Sequence, residues 1–446
     1  MALSGLEIYK HLPKKSNCKE CGVPTCLAFA MKVASGQAQL DECKHLTEAG
    51  KTSLSDASAP PQMLVKIGTG DKLVELGQET VLYRHEQKFH RPMSLAVRVL
   101  DTLDQAGVEA RCKKAVELNK VRMKKVLTVG LIAVENASGD AAKFTAAAKA
   151  ASAASNRAIV LMSAKPENLK AAGEALKAER PLLWAQAGTG EAAIAIAREL
   201  DLPLVIEAKG FDEVVALTEK ARTAGLKEMM LSPGQVSMAA GLEFLTQTRR
   251  AAILKKFRPA GYPVAMVSYA PDLLQQVVEA SSFVLKYAGI VVVDVTEPHY
   301  LTSILFSRQD IYTDPQVPVQ VDAGLHTLGD AGPEAPILIT TNFALSYSSV
   351  ESEVEAARVP AHIIAVNTDG TSVLTAWASD KMNAKTITAA IKGSGVLDKV
   401  KHKKVVLPGL VAILRAGLED ESGLEVIVGP KEASGLTSFL KNTWKA

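Results

Sequence analysis

The 446-residue sequence predicts an α/β protein built from three parts. Over residues 62–325, short runs rich in β-branched residues alternate with amphipathic segments of helix length, which is typical of a parallel sheet made of βα units. The alternation resumes after a glycine- and proline-rich seam at 326–336. The first 57 residues show almost no strand signal and contain four of the five cysteines. We therefore expect domains at 1–57, 58–325 and 326–446.

The composition excludes several classes of protein. Hydrophobic residues make up 48% and charged residues 22%, which suits a large buried core and excludes dominant disorder. The 51 basic and 48 acidic residues leave a net charge of +3, too small for a protein that coats nucleic acid, and the 5% aromatic content argues against base stacking. Residues 1–15 lack the apolar stretch of a signal peptide, and no run reaches the ~18 apolar residues of a membrane span. We expect a cytoplasmic protein that binds neither nucleic acid nor membrane.

The N-terminal part is predicted to contain one helix and a linker. Residues 25–38 read as a helix because Leu27, Met31 and Ala34 fall on one face. Residues 53–61 are small and polar and end in Pro-Pro, a composition that favours an extended linker.

The middle part is predicted to be a (β/α)8 TIM-type barrel, with an open doubly wound sheet as the alternative. Ten strand candidates compete for eight places, which predicts extra elements such as an N-terminal hairpin at 64–83. The candidates are 64–67, 80–83, 126–134, 158–162, 182–185, 204–207, 229–231, 264–268, 290–295 and 319–322.

The C-terminal part, 326–446, resembles a small doubly wound, Rossmann-like domain, because strand and helix patterns alternate throughout it. Its predicted strands are 337–340, 362–366, 404–407 and 425–428. Small, hydroxyl and amide residues follow all four strands. Because the carboxyl ends of parallel strands share one edge of the sheet, these clusters are expected to meet there.

The cysteine spacing C-x2-C-x4-C-x16-C is the strongest chemical signal in the sequence. Four thiolates can bind either zinc or an iron–sulfur cluster, and zinc ribbons usually use two C-x2-C pairs. Here three cysteines fall within nine residues and the fourth follows after a helix-length gap, an arrangement that favours a 4Fe–4S cluster over zinc or free thiols. Cys112 stands alone and is expected to be a buried apolar thiol. The predicted ligands are Cys18, Cys21, Cys26 and Cys43.

Four segments carry a resemblance to a known family. They are LPKKSNCKECGVPTCLAFA at 12–30, DEC at 41–43, TTNFALSYSSVE at 340–351 and NTDGTSVLTAW at 367–377. With them, the chain resembles over its full length the large (gamma) subunit of the corrinoid/iron–sulfur protein of the acetyl-CoA (Wood–Ljungdahl) pathway. The C-x-E-C-G-x-P-T-C core is the specific part, since the barrel fold hosts many functions.

The resemblance implies a methyl carrier with two cofactors, a 4Fe–4S cluster and a cobalamin-type corrinoid. Cobalt would accept a methyl group from methyltetrahydrofolate through a methyltransferase and deliver it to acetyl-CoA synthase, while the cluster returns oxidised Co(II) to Co(I). The implied partners are a small subunit that completes a heterodimer, the methyltransferase, acetyl-CoA synthase and a low-potential donor such as ferredoxin. The chain would be a carrier in corrinoid-dependent methyl transfer, not a complete enzyme alone. A pterin-dependent barrel methyltransferase with an attached iron–sulfur domain is the alternative.

The resemblance also places the corrinoid at the edge of the C-terminal sheet. Turn chemistry and helix caps remain the alternative explanation for each cluster taken singly. The candidate contact residues are Thr340, Thr341, Asn342, Ser346, Thr368, Asp369, Gly370, Thr371, Ser372, Val373, Pro408, Gly409, Gly429, Ala433, Ser434 and Gly435.

No D-x-H-x-x-G motif occurs in the sequence, so the axial histidine of many corrinoid domains is not expected. Without an imidazole donor Co(II) is easier to reduce, which suits a low-potential methyl carrier. His326, His362 and His402 lack the motif's context, and His362 is expected to be structural. Glu207 and Asp294 lie near strand ends where barrel enzymes place catalytic groups, but the resemblance implies that the barrel is a docking scaffold.

Overall fold

The structure is a computed structural model, and it falls into two compact units. One comprises Met1–Lys120 and Leu127–Tyr312, and the other comprises Val121–Val126 and Thr313–Ala446. Among the described residues, no helix is long and apolar enough to cross a membrane. The structure describes residues 5–12, 17–34, 38, 42–46, 60–89, 91–118, 120–122, 125–186 and 188–445.

Two short helices form the N-terminal region. Helices α1 (Gly5–His11) and α2 (Cys26–Ala34) pack closely, since a Cβ on Gly5 would lie 2.2 Å from the Met31 sulfur. The predicted helix at 25–38 is confirmed over α2. Residues 35–37 of that prediction, and 53–59 of the predicted linker, lie outside the described residues. The buried side chains here are those of Ile8, Leu12, Val23, Phe29, Ala30 and Leu46.

Eight parallel strands form a barrel, as predicted. Their order is β10-β9-β8-β7-β6-β3-β12-β11, and a bridge between Leu231 and Val264 joins the two ends. The open doubly wound alternative for this region is therefore wrong. The strands up to residue 293 are β1 (Val65–Ile67), β2 (Val74–Leu76), β3 (Ser94–Leu100), β4 (Lys120–Arg122), β5 (Lys125–Leu127), β6 (Leu131–Glu135), β7 (Ala158–Ser163), β8 (Leu182–Ala185), β9 (Leu204–Glu207), β10 (Met229–Ser232), β11 (Ala265–Ser268) and β12 (Ile290–Val293).

Helices separate the barrel strands, and aspartate or serine caps begin several of them. The Asp104 and Asp140 carboxylates and the Ser237 hydroxyl each accept a hydrogen bond from a backbone N–H group in the first turn of the helix that follows. These helices are α3 (Gln105–Val116), α4 (Ala141–Ser155), α5 (Pro166–Ala175), α6 (Gly190–Leu200), α7 (Gly210–Thr223), α8 (Met238–Ile253), α9 (Leu273–Leu285) and α10 (Pro298–Tyr312).

The antiparallel hairpin β1–β2 lies at the amino ends of the barrel strands. The Gly68 N–H donates to the carbonyl of Arg180 (2.8 Å), just before β8, and the Lys66 N–H donates to the Glu228 carboxylate (2.9 Å), just before β10. Val65, Ile67 and Leu76 of the hairpin share one buried cluster with the inward side chains of the barrel. The predicted hairpin is thus confirmed in its first half.

Some predicted strands are wrong. Residues 80–83 and 319–322 form no strand, and the run at 126–134 divides into β5 and β6. β3, which pairs with β6 and β12 in the barrel, was not predicted from the sequence.

The C-terminal unit contains a doubly wound sheet with the order β13-β15-β14-β16-β17, in which only β13 is antiparallel to its neighbour. Separate buried clusters cover its two faces. This agrees with the predicted α/β class. Its strands are β13 (Gly324–Leu328), β14 (Ile337–Thr341), β15 (Ala361–Val366), β16 (Lys404–Leu407) and β17 (Glu425–Val428), and its helices are α11 (Ala344–Ala357), α12 (Val373–Ala378), α13 (Ala384–Gly393), α14 (Arg415–Ser422) and α15 (Leu436–Asn442).

The segment after β2 contains a buried carboxyl group. Glu79 is only 9% exposed, and burial raises its pKa to about 7 although the charges of Arg249 and Arg91 act in the opposite direction. The Arg249 guanidinium lies 4.4 Å from the centre of the Tyr287 ring and donates to the carbonyl of Val81 (2.7 Å). These contacts hold the segment against the barrel.

Glu79 predicts a pH dependence of stability. Its native pKa of about 7 exceeds its ordinary value of 4.5, so the native state binds more protons than the unfolded state between these pH values, and stability falls as the pH rises through them. Glu79→Gln should therefore raise the free energy of unfolding by about 2–3 kcal/mol at pH 8 and leave it nearly unchanged at pH 4.5. Denaturant unfolding at both pH values measures this. Glu243→Gln, an exposed control on α8, should show no such difference, and an equal gain at both pH values would contradict the assignment.

Candidate functional site

The four N-terminal cysteines line one pocket, called here the cysteine pocket. All four thiols are free, and the floor of the pocket is apolar, with Leu12, Val23 and Phe29 buried. A set of four thiols suits either a 4Fe–4S cluster or zinc. The other lining residues are Asn17, Lys19, Glu20, Lys44 and His45.

The loop that carries the first three cysteines has a defined conformation. Asn17, Lys19 and Gly22 have φ values of 50°, 65° and 73°, in the left-handed region that glycine and asparagine tolerate best. The Gly22 N–H donates to the carbonyl of Lys19 (2.9 Å), and the Cys26 N–H donates to the Asn17 side-chain oxygen (2.8 Å). The turn therefore brings Cys21 back towards the start of α2.

A second grouping lies at the edge of the cysteine pocket. One ligand atom each of Cys18, Glu20 and His45 lies within 4.8 Å of the others, and the His45 Nε2 is 3.2 Å from the Glu20 carboxylate. A mixed set of one thiolate, one carboxylate and one imidazole also suits zinc.

The carboxyl edge of the C-terminal sheet holds a cavity of about 320 Å³, called here the C-terminal cavity. It lies where the chain reverses its winding direction, between β14 and β16, the place at which open α/β sheets bind ligands. Its walls are mostly apolar with a few hydroxyl groups, a composition typical of small-molecule sites. The lining residues include Thr340, Phe343, Leu345, Ser346, Ser349, Val350, Ser372, Val373, Pro408, Leu410, Gly429, Lys431, Glu432, Ala433 and Leu436.

The cavity brings together seven of the predicted contact residues, which lie at or just after the carboxyl ends of four strands. The remaining predicted residues do not line it. Thr341, Asn342 and Thr368 are almost fully buried, and the Asp369 carboxylate pairs with Lys381 (2.9 Å). The seven that line the cavity are Thr340, Ser346, Ser372, Val373, Pro408, Gly429 and Ala433; the others, besides those four, are Gly370, Thr371, Gly409, Ser434 and Gly435.

The apolar part of the cavity wall was not predicted from the sequence. Leu345 lines the cavity and is 66% exposed, and Leu410 lines it and is 39% exposed. Large apolar residues placed just after strand ends are the signal in the sequence that could have identified them.

The rings of the three C-terminal histidines contact other groups of the protein, away from the C-terminal cavity. The His362 Nδ1 lies 3.0 Å from the Thr327 hydroxyl, and burial lowers the pKa of this imidazole. The His326 and His402 rings lie 2.8 Å from the backbone carbonyls of Asp322 and Ala335. Among the residues that the structure describes, no histidine lines the C-terminal cavity.

The carboxylates at the carboxyl ends of the barrel strands accept hydrogen bonds from neighbouring side chains. The Arg98 guanidinium donates to Asp294 (2.7 Å) and Glu135 (2.9 Å) and lies 3.8 Å from the centre of the Tyr269 ring. The Glu207 carboxylate accepts a hydrogen bond from the indole of Trp184 (2.6 Å). These contacts explain Glu207 and Asp294 as structural partners.

Cys112 is fully buried, as expected, on α3. Burial raises the pKa of its thiol to about 11, so it stays protonated near neutral pH. It takes no part in the cysteine pocket.

Two family profiles match the chain. "CO dehydrogenase/acetyl-CoA synthase delta subunit" matches residues 64–440. "Putative Fe-S cluster" matches residues 12–45, the range that carries the cysteine pocket.

Relatives match the whole chain. The corrinoid/iron–sulfur protein large subunit of Moorella thermoacetica is 41% identical over 442 residues, which cover 99% of both chains. The acetyl-CoA decarbonylase/synthase complex subunit gamma of Archaeoglobus fulgidus is 32% identical over 464 residues, which cover 99% of this chain and 98% of that protein. Among solved structures, the 7,8-dihydropteroate synthase of Vibrio fischeri matches with a TM-score of 0.40 and 12% identity, over 56% of this chain and 100% of its own.

Replacing either of two buried threonines with valine should change the free energy of unfolding, but in opposite directions. The Thr341 hydroxyl has no hydrogen-bond partner, whereas the Thr368 hydroxyl donates to the Asn342 side chain (3.1 Å). Thr341→Val should leave the free energy of unfolding unchanged or raise it by about 1 kcal/mol, and Thr368→Val should lower it by about 1–2 kcal/mol. Denaturant unfolding measures both, and equal losses at the two sites would contradict these assignments.

Proposed function

The chain belongs to the family of corrinoid/iron–sulfur protein large subunits, and from this premise we propose that it is the methyl-carrier subunit of the acetyl-CoA pathway. A bound corrinoid would supply a cobalt that accepts a methyl group from methyltetrahydrofolate, through a methyltransferase, and gives it up to acetyl-CoA synthase. A 4Fe–4S cluster would supply the electron that returns Co(II) to Co(I). The residues of this chain would bind and orient both groups.

The observation that carries the proposal is the C-terminal cavity at the reversal point of the sheet. Drug-sized ligands occupy pockets of roughly 300–1,000 Å³, and the cavity of about 320 Å³ is at the lower end of that range. A corrinoid, with its large ring and fringe of amides, is bigger than such a ligand. We infer that this chain binds one side of the corrinoid and that a small subunit covers the rest.

The lining residues suit the chemistry of a corrinoid. Apolar side chains such as Leu345 and Leu410 can pack against the ring. The hydroxyl groups of Thr340, Ser346 and Ser372 can bond to the amide fringe, and small residues leave room for it. Since no histidine lines the cavity in the described residues, these walls offer cobalt no imidazole. That arrangement favours the reduced metal.

The cysteine pocket suits the cluster. Cys18, Cys21, Cys26 and Cys43 would bind the four irons through their thiolates, above an apolar floor that keeps water from one side. Exclusion of water and backbone N–H groups near the sulfurs are the means by which a protein tunes the potential of such a cluster.

The proposed methyl carrier would work with several partner proteins. Methyl transfer needs a methyltransferase, acetyl-CoA synthase and a low-potential donor such as ferredoxin, all in the cytoplasm. The domain at 1–57 would transfer electrons, the domain at 58–325 would dock partner proteins, and the domain at 326–446 would carry the methyl group.

Among the residues that the structure describes, the carboxylates at the barrel mouth are bound by Arg98 and Trp184, and this does not favour the alternative of a pterin-dependent methyltransferase.

Filling the cavity tests the corrinoid site. Ser346→Phe introduces a ring at the wall of the C-terminal cavity, and we expect corrinoid content to fall by about tenfold or more. The measurement is the corrin absorption of anaerobically purified protein produced together with the small subunit, with iron and sulfide content determined in parallel. Ser352→Phe, an exposed control on the same helix, should retain corrinoid. Full corrinoid content in the Ser346 variant would contradict the assigned site.

Removing one cysteine tests the role of the cluster. Cys43→Ala should abolish or convert the cluster, so that ferredoxin no longer restores Co(I), while chemically reduced protein still accepts a methyl group. The absorption of Co(I) and methyl-cobalt during both reactivations measures this. Cys112→Ala is the matched control, expected to keep its iron and lose about 1 kcal/mol of stability. A chemically reduced Cys43 variant that accepts no methyl group would contradict an auxiliary role for the cluster.

A further inference from the structure

The Asn342 side chain lies behind the wall of the C-terminal cavity and does not line it. Asn342 follows β14 and is 2% exposed. Its Oδ1 accepts hydrogen bonds from the backbone N–H groups of Thr368 (2.9 Å) and Gly370 (3.1 Å) and from the Thr368 hydroxyl (3.1 Å). One oxygen thus holds the loop 367–372, which connects β15 to α12.

The amide nitrogen of the same side chain is anchored on the other side. Asn342 Nδ2 donates to the Gln320 side-chain oxygen (3.1 Å) and to Asn367 Oδ1 (3.4 Å). Gln320 belongs to the lead-in segment, residues 318–321, which runs beside the end of β14. The Val321 N–H donates to the Asn342 carbonyl, and the Ala344 N–H donates to the carbonyl of Val319, each at 2.9 Å.

The loop also packs directly against the lead-in segment. Gly370 has a φ of +71°, and a Cβ there would lie 2.5 Å from Gln320 Cγ and 3.1 Å from Pro318 Cβ. The Thr371 hydroxyl donates to the carbonyl of Thr368 (2.8 Å) and closes the turn. The loop therefore has little freedom while Asn342 is in place.

The loop leads straight into two residues of the cavity wall. Ser372 and Val373 line the C-terminal cavity, and α12 begins at Val373. Without Asn342, two buried N–H groups would lose their acceptor, and the loop would have to open to water to satisfy them. The wall would move with it.

We propose that Asn342 is the positioning residue of the corrinoid site. It fixes the loop 367–372 against the lead-in segment, and so places Ser372 and Val373 at the cavity without touching the corrinoid. This inference rests on the proposed function for the identity of the ligand, but not for the behaviour of the loop.

The first measurement needs no corrinoid. Hydrogen–deuterium exchange of the full-length chain follows the backbone amides of 367–373 in the wild type, Asn342→Leu and Asn342→Asp. The leucine side chain has a similar size and no hydrogen bonds, so we expect exchange to become about tenfold faster or more. The aspartate keeps an acceptor oxygen, and the Gln320 amide can turn to donate to its second oxygen, so exchange should stay close to that of the wild type. Thr388→Val, which changes a buried hydroxyl without a partner on α13, is the control and should not change the loop.

The second measurement titrates cob(II)alamin into each variant in complex with the small subunit, followed by absorption. The Leu variant should bind about tenfold more weakly and the Asp variant within about threefold of the wild type. Unchanged exchange in the Leu variant would overturn the positioning role whatever the corrinoid does. Faster exchange with unchanged affinity would overturn the link from the loop to the site. A wild type that binds no corrinoid would instead overturn the proposed function, and the exchange data would still report on the loop.

Gln320→Leu gives an independent test if the Asn342→Leu chain fails to fold. It removes one anchor and leaves the Oδ1 bonds in place, so exchange over 367–373 should rise by about threefold. No rise in this variant would overturn the part assigned to the lead-in segment.

Discussion

The reversal of strand order around β14 is the constraint on which the C-terminal site depends. β15 and β16 lie on opposite sides of β14, so the connections after β14 and β16 leave over opposite faces of the sheet. The helices that follow, α11 and α14, belong to separate buried clusters, one on each face. A crevice therefore opens between the carboxyl ends of the two strands while both faces of the sheet stay covered.

Much of the fold could be predicted from periodicity, and the errors have a common cause. β3 escaped prediction because Ser94 and Arg98 interrupt its apolar pattern. Arg98 is tolerated because two carboxylates lie beside it, Glu135 at the end of β6 and Asp294 directly after β12. The false strand at 319–322 has an alternating pattern but pairs only through one bridge, between Gln320 and Phe343. In each case the decisive partner lies far away in the sequence.

The candidate site, like the fold, could be predicted from the sequence only in part. The order of elements predicted which residues reach the sheet edge, but not which side chains face the cavity. Successive side chains of a strand point to opposite faces, so Thr340 lines the cavity and Thr341 is buried behind it. The cysteine pocket depends on shorter spacings, such as the nine positions from Asn17 to Cys26, and a motif can show these directly.

The place of Asn342 explains why a sequence motif could not reveal it. Its side chain joins Gln320, 22 residues before it, to Thr368 and Gly370, 26 and 28 residues after it. The position needs a short side chain with an acceptor oxygen for the loop, and the amide group also donates to Gln320 without placing a charge in the interior. Asparagine meets all of these conditions. Its neighbour Thr341 is equally buried, but the Thr341 hydroxyl has no hydrogen-bond partner and therefore does not fix the loop. A position at the sheet edge therefore does not by itself give a residue a role in the site. The role depends on which distant backbone groups form hydrogen bonds with its side chain.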